Sequence, residues 1–182
     1  SADYVLASGA FGIIGILGIL GRANQNYLGQ NTLEFLRENG IYDELNRVTG
    51  LARRYTGRFV LPVDLKVELE GNVHTMAPEQ INEHPDKDRI NIYGLGQQTV
   101  KRFKEVISNS QTIYLKGSPT KDDKEFLQES RQIVDQIVTA KQDGAITILS
   151  GGDTYNLVSS FGYNPQEDFS SATLAGGAAT QY

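Results

Sequence analysis

The 182-residue chain has no cysteine and only two histidines, His74 and His84. It therefore has no disulfide, no thiolate metal site and no thiol nucleophile. Two histidines also exclude a histidine-rich metal site. Surplus positive charge is lacking: 17 Lys and Arg stand against 22 Asp and Glu, a formal charge of −5. A protein that tracks a nucleic-acid backbone needs the opposite balance, so no nucleic-acid partner is expected. No Walker A sequence (Gly-x-x-x-x-Gly-Lys-Ser/Thr) occurs. The 39% apolar and 21% charged composition predicts one globular domain over residues 1–182, with room for a core.

Charge is absent altogether from Tyr4 to Leu20. A membrane span needs about 17–25 apolar residues, so this run sits at the short end. Glycine recurs every third position, at Gly9, Gly12, Gly15, Gly18 and Gly21. Each costs an isolated helix roughly 1 kcal/mol relative to alanine, unless close packing requires it. Asp3 precedes a short apolar run, Tyr4-Val5-Leu6-Ala7. We read strand, glycine-containing turn, then buried helix, in preference to a membrane span. The chain starts at Ser1 with no basic segment before the apolar run, which predicts a trimmed start and no signal peptide.

Downstream, short apolar runs alternate with helical patterns. Helices are predicted over 31–39 (capped by Asn31), 43–55, 97–108, 122–141 and from Gly151 to about 161. Strands are predicted over 58–62, 90–93, 112–115, 145–149 and 172–174, and a β-hairpin over 65–76. Residues 77–89, polar with Pro78 and Pro85, read as a surface loop. This alternation predicts an α/β fold: a doubly wound, mainly parallel, Rossmann-like sheet with the hairpin as an insertion.

In such folds ligands bind beyond the carboxyl ends of the strands. The glycine clusters fall there: Ser8-Gly9, Gly117, Gly151-Gly152 and Gly176-Gly177. At Gly151-Gly152-Asp153-Thr154 the glycines would let a phosphate reach the backbone and the following helix start. Asp153 would hold Mg²⁺ and Thr154 would donate to a phosphate. The plain alternative is a strand-to-helix turn with Asp153 as its cap. Gly176-Gly177 reads as a second phosphate turn or as a flexible tail. Asp122, Asp123 and Glu125 read as an acid-rich helix start. His74 and His84 read as structural or solvated. Asp64 either positions a ligand or a lysine, or is a turn carboxylate.

Taken in order, these segments resemble the C-terminal, nucleotide-binding half of the phosphoglycerate kinase family. Leu61-Pro62-Val63-Asp64 matches its Leu-Pro-Val-Asp segment. Thr99 to Phe103 fits its next helix, and Gln111 to Gly117 its strand leading to an Asn-Gly-Pro turn. Gly151-Gly152-Asp153-Thr154 matches its Gly-Gly-Gly-Asp-Thr turn, and Phe169 to Ala179 its final glycine-rich region. The resemblance implies Mg-ATP or Mg-ADP as ligand at Gly117, Pro119, Gly151, Gly152, Asp153, Thr154, Gly176 and Gly177, to which the strand-end glycine pattern adds Ser8 and Gly9. It implies a cytoplasmic location, glycolytic phosphoryl transfer between ATP and 3-phosphoglycerate, and a separate N-terminal half that binds phosphoglycerate.

Ligand-facing motifs depart from that pattern more than core motifs do. Gly94 to Thr99 replaces Asp-Ile-Gly-Pro-Lys-Thr, and Lys116-Gly117-Ser118 replaces Asn-Gly-Pro, with Pro119 one place late. Lys121-Asp122-Asp123 stands for the nucleotide-contacting Val-Phe-Glu, and Ser171 for a histidine. The N-terminal half, the first strand and turn of the C-terminal half with its phosphate-facing lysines, and the continuation past the last turn have no counterpart in this sequence. The expectation is a retained fold, catalytically degenerate, serving as a structural or interaction module in a larger assembly and retaining at most Mg-nucleotide binding. The alternative is the nucleotide half of a divergent working kinase, whose partner is the missing N-terminal half.

Overall fold

A computed structural model describes residues 2–21, 24, 26–55, 57–121 and 124–175. The chain forms two compact units, Ser1–Thr99 and Val100–Tyr182.

The first unit opens with β1 (Val5–Leu6) and α1 (Gly9–Ile19), followed by α2 (Gln30–Glu38) and α3 (Leu45–Arg54). Next come β2 (Phe59–Val60), the hairpin β3 (Leu65–Leu69) and β4 (Asn72–Met76), α4 (Pro78–Glu83) and β5 (Asn91–Leu95). Helix α5 (Gln97–Ser108) runs on into the second unit. Strands β1 and β2 pair in parallel. The uncharged run is thus a strand, a turn and a buried helix, with Ile13, Ile14, Ile16 and Leu17 in the core. Among the described residues no helix is long and apolar enough to cross a membrane.

The glycine spacing in α1 follows from packing. A Cβ at Gly12 would come within 2.8 Å of the Ala7 carbonyl oxygen, and one at Gly18 would run into Thr49 of α3. The backbone of α1 therefore lies directly on its neighbours, which offsets the poor helix propensity of glycine.

Three expectations are corrected in this unit. Residues 77–89 are not a loop: they hold α4 and a 3₁₀ turn at Lys87–Arg89. Pro78 suits the first helical turn, the Gln80 side chain accepts from the Ala77 N–H at 2.8 Å, and Ile81 is fully buried. Pro78 and Ile81, its two buried residues, are too few to show as a periodic pattern. Strand β5 is not part of a parallel array: it pairs antiparallel with β3, in the order β4-β3-β5. Asn31 is not a cap either. It lies inside α2, whose first N–H, from Gln30, is taken at 3.0 Å by Asp88, 58 residues away.

Asp64 resolves as a helix-capping carboxylate. Its Oδ1 accepts from the N–H and hydroxyl of Thr99 at 2.7 and 2.6 Å, and its Oδ2 from the Gln98 N–H at 3.1 Å. The Thr99 hydroxyl oxygen also accepts from the N–H groups of Val63 and Asp64. A Cβ on Gly96 would overlap the Asp64 carboxylate. Asp64 is thus consumed internally at the start of α5.

In the second unit, β6 (Thr112–Lys116), α6 (Leu127–Gln142), β7 (Ile146–Ser150), α7 (Gly152–Ser160), α8 (Pro165–Asp168) and β8 (Ser171–Thr173) follow α5. The three strands are all parallel, in the order β6-β7-β8. Ile133, Val134, Ile137 and Val138 of α6 and Leu157 and Val158 of α7 join Leu149 in the core. The Tyr163 hydroxyl donates to Asp135 of α6 at 2.7 Å. Burial first, and that hydrogen bond second, push its pKa from 10.0 up to about 12.

Two stability predictions follow from these contacts. Asp64→Ala leaves the buried N–H of Thr99 and the N–H of Gln98 unpaired, and is expected to cost about 2–4 kcal/mol in urea unfolding. An unchanged midpoint would contradict that role. The Tyr163 pKa is raised on folding, so its stabilisation is complete below pH 10 and is lost as pH rises towards 12. Tyr163→Phe is expected to flatten the fall in melting temperature across that window. An identical alkaline profile in the variant would refute this.

Candidate functional site

The strand exits of the second unit converge. Register pairs Lys116 with Ser150 and Ser150 with Thr173, so β6, β7 and β8 end level with one another. Strand β6 leaves through Gly117 at φ +82°, and β7 through Gly151 at φ +103°, conformations that favour glycine. The Gly117 N–H donates to Thr154 Oγ1 at 2.7 Å. The Gly151 N–H donates to the Thr173 carbonyl at 3.0 Å, and the Ser150 hydroxyl to the Ala175 carbonyl at 2.9 Å. Three strand ends are thereby fastened to one another by side chains and main chain.

This arrangement separates the predicted site residues by role. Gly117, Gly151, Gly152, Asp153 and Thr154 come together at one end of the sheet. Thr154 is buried at 1% exposure, its oxygen engaged by Gly117, and it ties β6 to α7. Asp153 is exposed in the first turn of α7. A Cβ on Gly117 or Gly152 would meet nothing within 4 Å, so the backbone faces open space at both. Helix α7 starts at Gly151 with no side-chain cap. Its first N–H groups have no intrahelical acceptor and lie at the positive end of the helix dipole. Lys116 is exposed beside them. Pro119 is buried in the turn that follows β6.

Ser8 and Gly9 lie in the first unit, at the exit of β1. Ser8 is the N-cap residue of α1, and that helix start also carries no side-chain cap. Gly176 and Gly177, and the acids Asp122 and Asp123, lie outside the described residues. Glu125 is exposed. His84 Nδ1 accepts from the Asp86 N–H at 3.1 Å, and His74 is exposed on β4. Among the described residues no group of three or more His, Asp or Glu is placed to hold a metal by itself. A cavity of about 260 Å³ in the first unit, between α1, α2 and β5, is lined by none of the residues expected to bind a ligand. Ser150 opens the Ser150-Gly151-Gly152-Asp153-Thr154 motif without a role of its own in the sequence reading, and Thr173 has no signal there.

The family model described as phosphoglycerate kinase matches residues 11–182. The chain belongs to the phosphoglycerate kinase family. It is 28% identical over 144 residues to the phosphoglycerate kinase of Corynebacterium diphtheriae, covering 76% of this chain and 34% of that protein. It is 25% identical over 159 residues to that of Emericella nidulans, covering 84% and 37%. The chain thus spans about a third of the length of these curated relatives. The crystal structure of phosphoglycerate kinase from Pyrococcus horikoshii OT3 superposes with a TM-score of 0.80 at 20% identity, covering 97% of this chain and 41% of that one. The phosphoglycerate kinase from Coxiella burnetii gives 0.73 at 20% identity. At that identity the likeness shows the fold: mixed α/β, doubly wound and Rossmann-like.

Thr154→Val keeps the shape but replaces the acceptor for Gly117 with a methyl group. It is expected to cost about 1–3 kcal/mol and to speed hydrogen exchange of the Gly117 amide. An unchanged exchange rate would show that this tie does not hold β6 to α7.

Proposed function

We infer that this chain is a phosphoglycerate-kinase-like domain that holds Mg-ATP or Mg-ADP by its phosphates and does not transfer the phosphoryl group on its own. One observation carries the reading: the start of α7 is uncapped and faces open space beside Gly117. The starts of α5 and α2 are, by contrast, already occupied by Asp64 and Asp88. An incoming anion competes with an internal carboxylate at those two, and with water alone at α7.

The residues fit the group. The N–H groups of Gly152 and Asp153 and the open faces of Gly117 and Gly152 suit phosphate oxygens. The Asp153 carboxylate suits a Mg²⁺ ion carried in by the phosphates, because that ion takes one or two protein carboxylates and fills its remaining sites with phosphate and water. Mg²⁺ supplies charge neutralisation on the phosphates. Ser8 and Gly9, at the start of α1, which also has no side-chain cap, form a second phosphate-facing turn in their own unit. Gly176 and Gly177 belong to the same reading by resemblance.

Phosphoryl transfer rests on positioning and charge stabilisation. Lys121-Asp122-Asp123 replaces the family's nucleotide-contacting Val-Phe-Glu, Lys116-Gly117-Ser118 its Asn-Gly-Pro turn, and Ser171 a histidine. Loss of the apolar Val-Phe pair removes packing against the nucleotide and weakens the positioning that transfer needs. These departures support a scaffold or interaction role. The retained Gly-Gly-Asp-Thr turn favours a second reading, in which the chain is the nucleotide half of a divergent kinase completed by an acceptor-binding half.

Calorimetric titration with ADP, with and without Mg²⁺, tests the site. Mg-ADP is expected to bind with Kd below about 1 mM. Asp153→Ala is expected to weaken Mg-ADP about tenfold and to leave metal-free ADP within about twofold, tenfold being 1.4 kcal/mol. Equal weakening of both would remove Asp153 from the metal role, and no binding at millimolar nucleotide would leave only the scaffold reading.

A further inference from the structure

Helix α3 turns Val48 and Ala52 inward. Its outer side carries Arg47, Gly50, Leu51, Arg53 and Arg54, all exposed. Leu51 and the following Tyr55 are 42% and 41% exposed. Residues three and four apart are neighbours on a helix. Asn46, Arg47, Arg53 and Arg54 therefore surround Gly50, and the centre of an arginine-rich face is bare backbone.

Among the described residues nothing calls for that glycine. Gly12 and Gly18 are required by close packing, whereas a Cβ at Gly50 would meet nothing within 4 Å. Gly50 is also absent from the positive-φ positions. Glycine is the poorest helix former after proline. Arg53 and Arg54 fall in the last turn, where cations complement the helix dipole. That accounts for neither Arg47, nor Gly50, nor exposed Leu51. The guanidinium groups of Arg54 and Arg58 lie over the Tyr55 ring, 5.6 and 5.8 Å from its centre. The ion pair of Arg47 with Glu44 at 3.3 Å is exposed at both ends and easily exchanged.

We propose that the outer face of α3 is a docking surface for an acidic segment of a partner protein. The partner backbone rests against Gly50, its carboxylates pair with Arg47, Arg54 and Arg58, and its apolar side chains cover Leu51 and Tyr55. Charge complementarity argues for an acidic partner, since this face is basic on a chain of net charge −5. Size argues for a polypeptide. Arg47 to Arg54 spans only about 10 Å of helix, and Asp43 and Glu44 close one end, which repels a long polyanion. This surface lies in the first unit, and the proposal does not rest on nucleotide binding at α7.

The test is an amide NMR titration of the full chain with a 15-residue Glu- and Leu-rich peptide. The expected result is shifts centred on Gly50, Leu51 and Arg54. Gly50→Ala is expected to raise the melting temperature, because alanine favours the helix, yet to weaken the peptide about tenfold by filling the bare spot. The double variant Arg47→Glu, Arg54→Glu is expected to abolish binding. Peptide affinity unchanged in Gly50→Ala would overturn the proposal. So would shifts confined to other surfaces, or binding of anionic lipid vesicles or single-stranded oligonucleotide where the peptide does not bind.

Discussion

Every helix start leaves backbone N–H groups that the helix cannot satisfy, and what fills them sets the character of this molecule. At α5 the filler is Asp64, held in place by Thr99 and given room by the missing side chain at Gly96. At α2 it is Asp88. At α7 there is no side-chain filler, only a glycine turn. The chain therefore builds two helix starts as closed structural joints and leaves a third open at the end of a parallel sheet. A close relation between acid and glycine runs through all three: where the acid reaches the joint it locks it, and where only Asp153 is present the acid points outward.

The open joint is itself held by a closed one. The Thr154 hydroxyl oxygen takes the Gly117 N–H, so the β6 exit cannot drift away from α7. The Ser150 hydroxyl, by donating to the Ala175 carbonyl, fastens the residues after β8. A phosphate site needs donors in fixed places, because donors that must reorganise lose much of their electrostatic advantage. Small hydroxyl side chains buried behind the glycines provide that fixity without crowding the ligand side. Unit one shows the same economy of space in α1, where glycines let the helix backbone lie against Ala7 and Thr49.

Much of this was legible in the sequence, for definable reasons. The α/β alternation, the hairpin around Gly71 and the glycine-bearing strand exits are local patterns, and local patterns survive in a linear reading. The uncharged Tyr4 to Leu20 run could be assigned to a buried helix because its glycine spacing makes sense only under close packing. Helix α4 was illegible because its burial rests mainly on Ile81 within a polar stretch. The antiparallel pairing of β5 with β3 was illegible because a short apolar strand looks alike in either direction. The capping of α2 by Asp88 spans 58 residues, so the adjacent Asn31 looked like the better cap. Thr154 reads as a phosphate donor in the sequence, and its tie to Gly117, 37 residues away, emerges only when the ends of β6 and β7 are brought level.

The central claim is that the helix start at α7 is open to an anion while that at α5 is closed. The most direct measurement is an amide NMR titration of the chain with Mg-ADP. The account predicts that the amides of Gly117, Gly151, Gly152 and Asp153 shift and that those of Gln98 and Thr99 stay still. Shifts at Gln98 and Thr99 with none at Gly151 to Asp153 would contradict it.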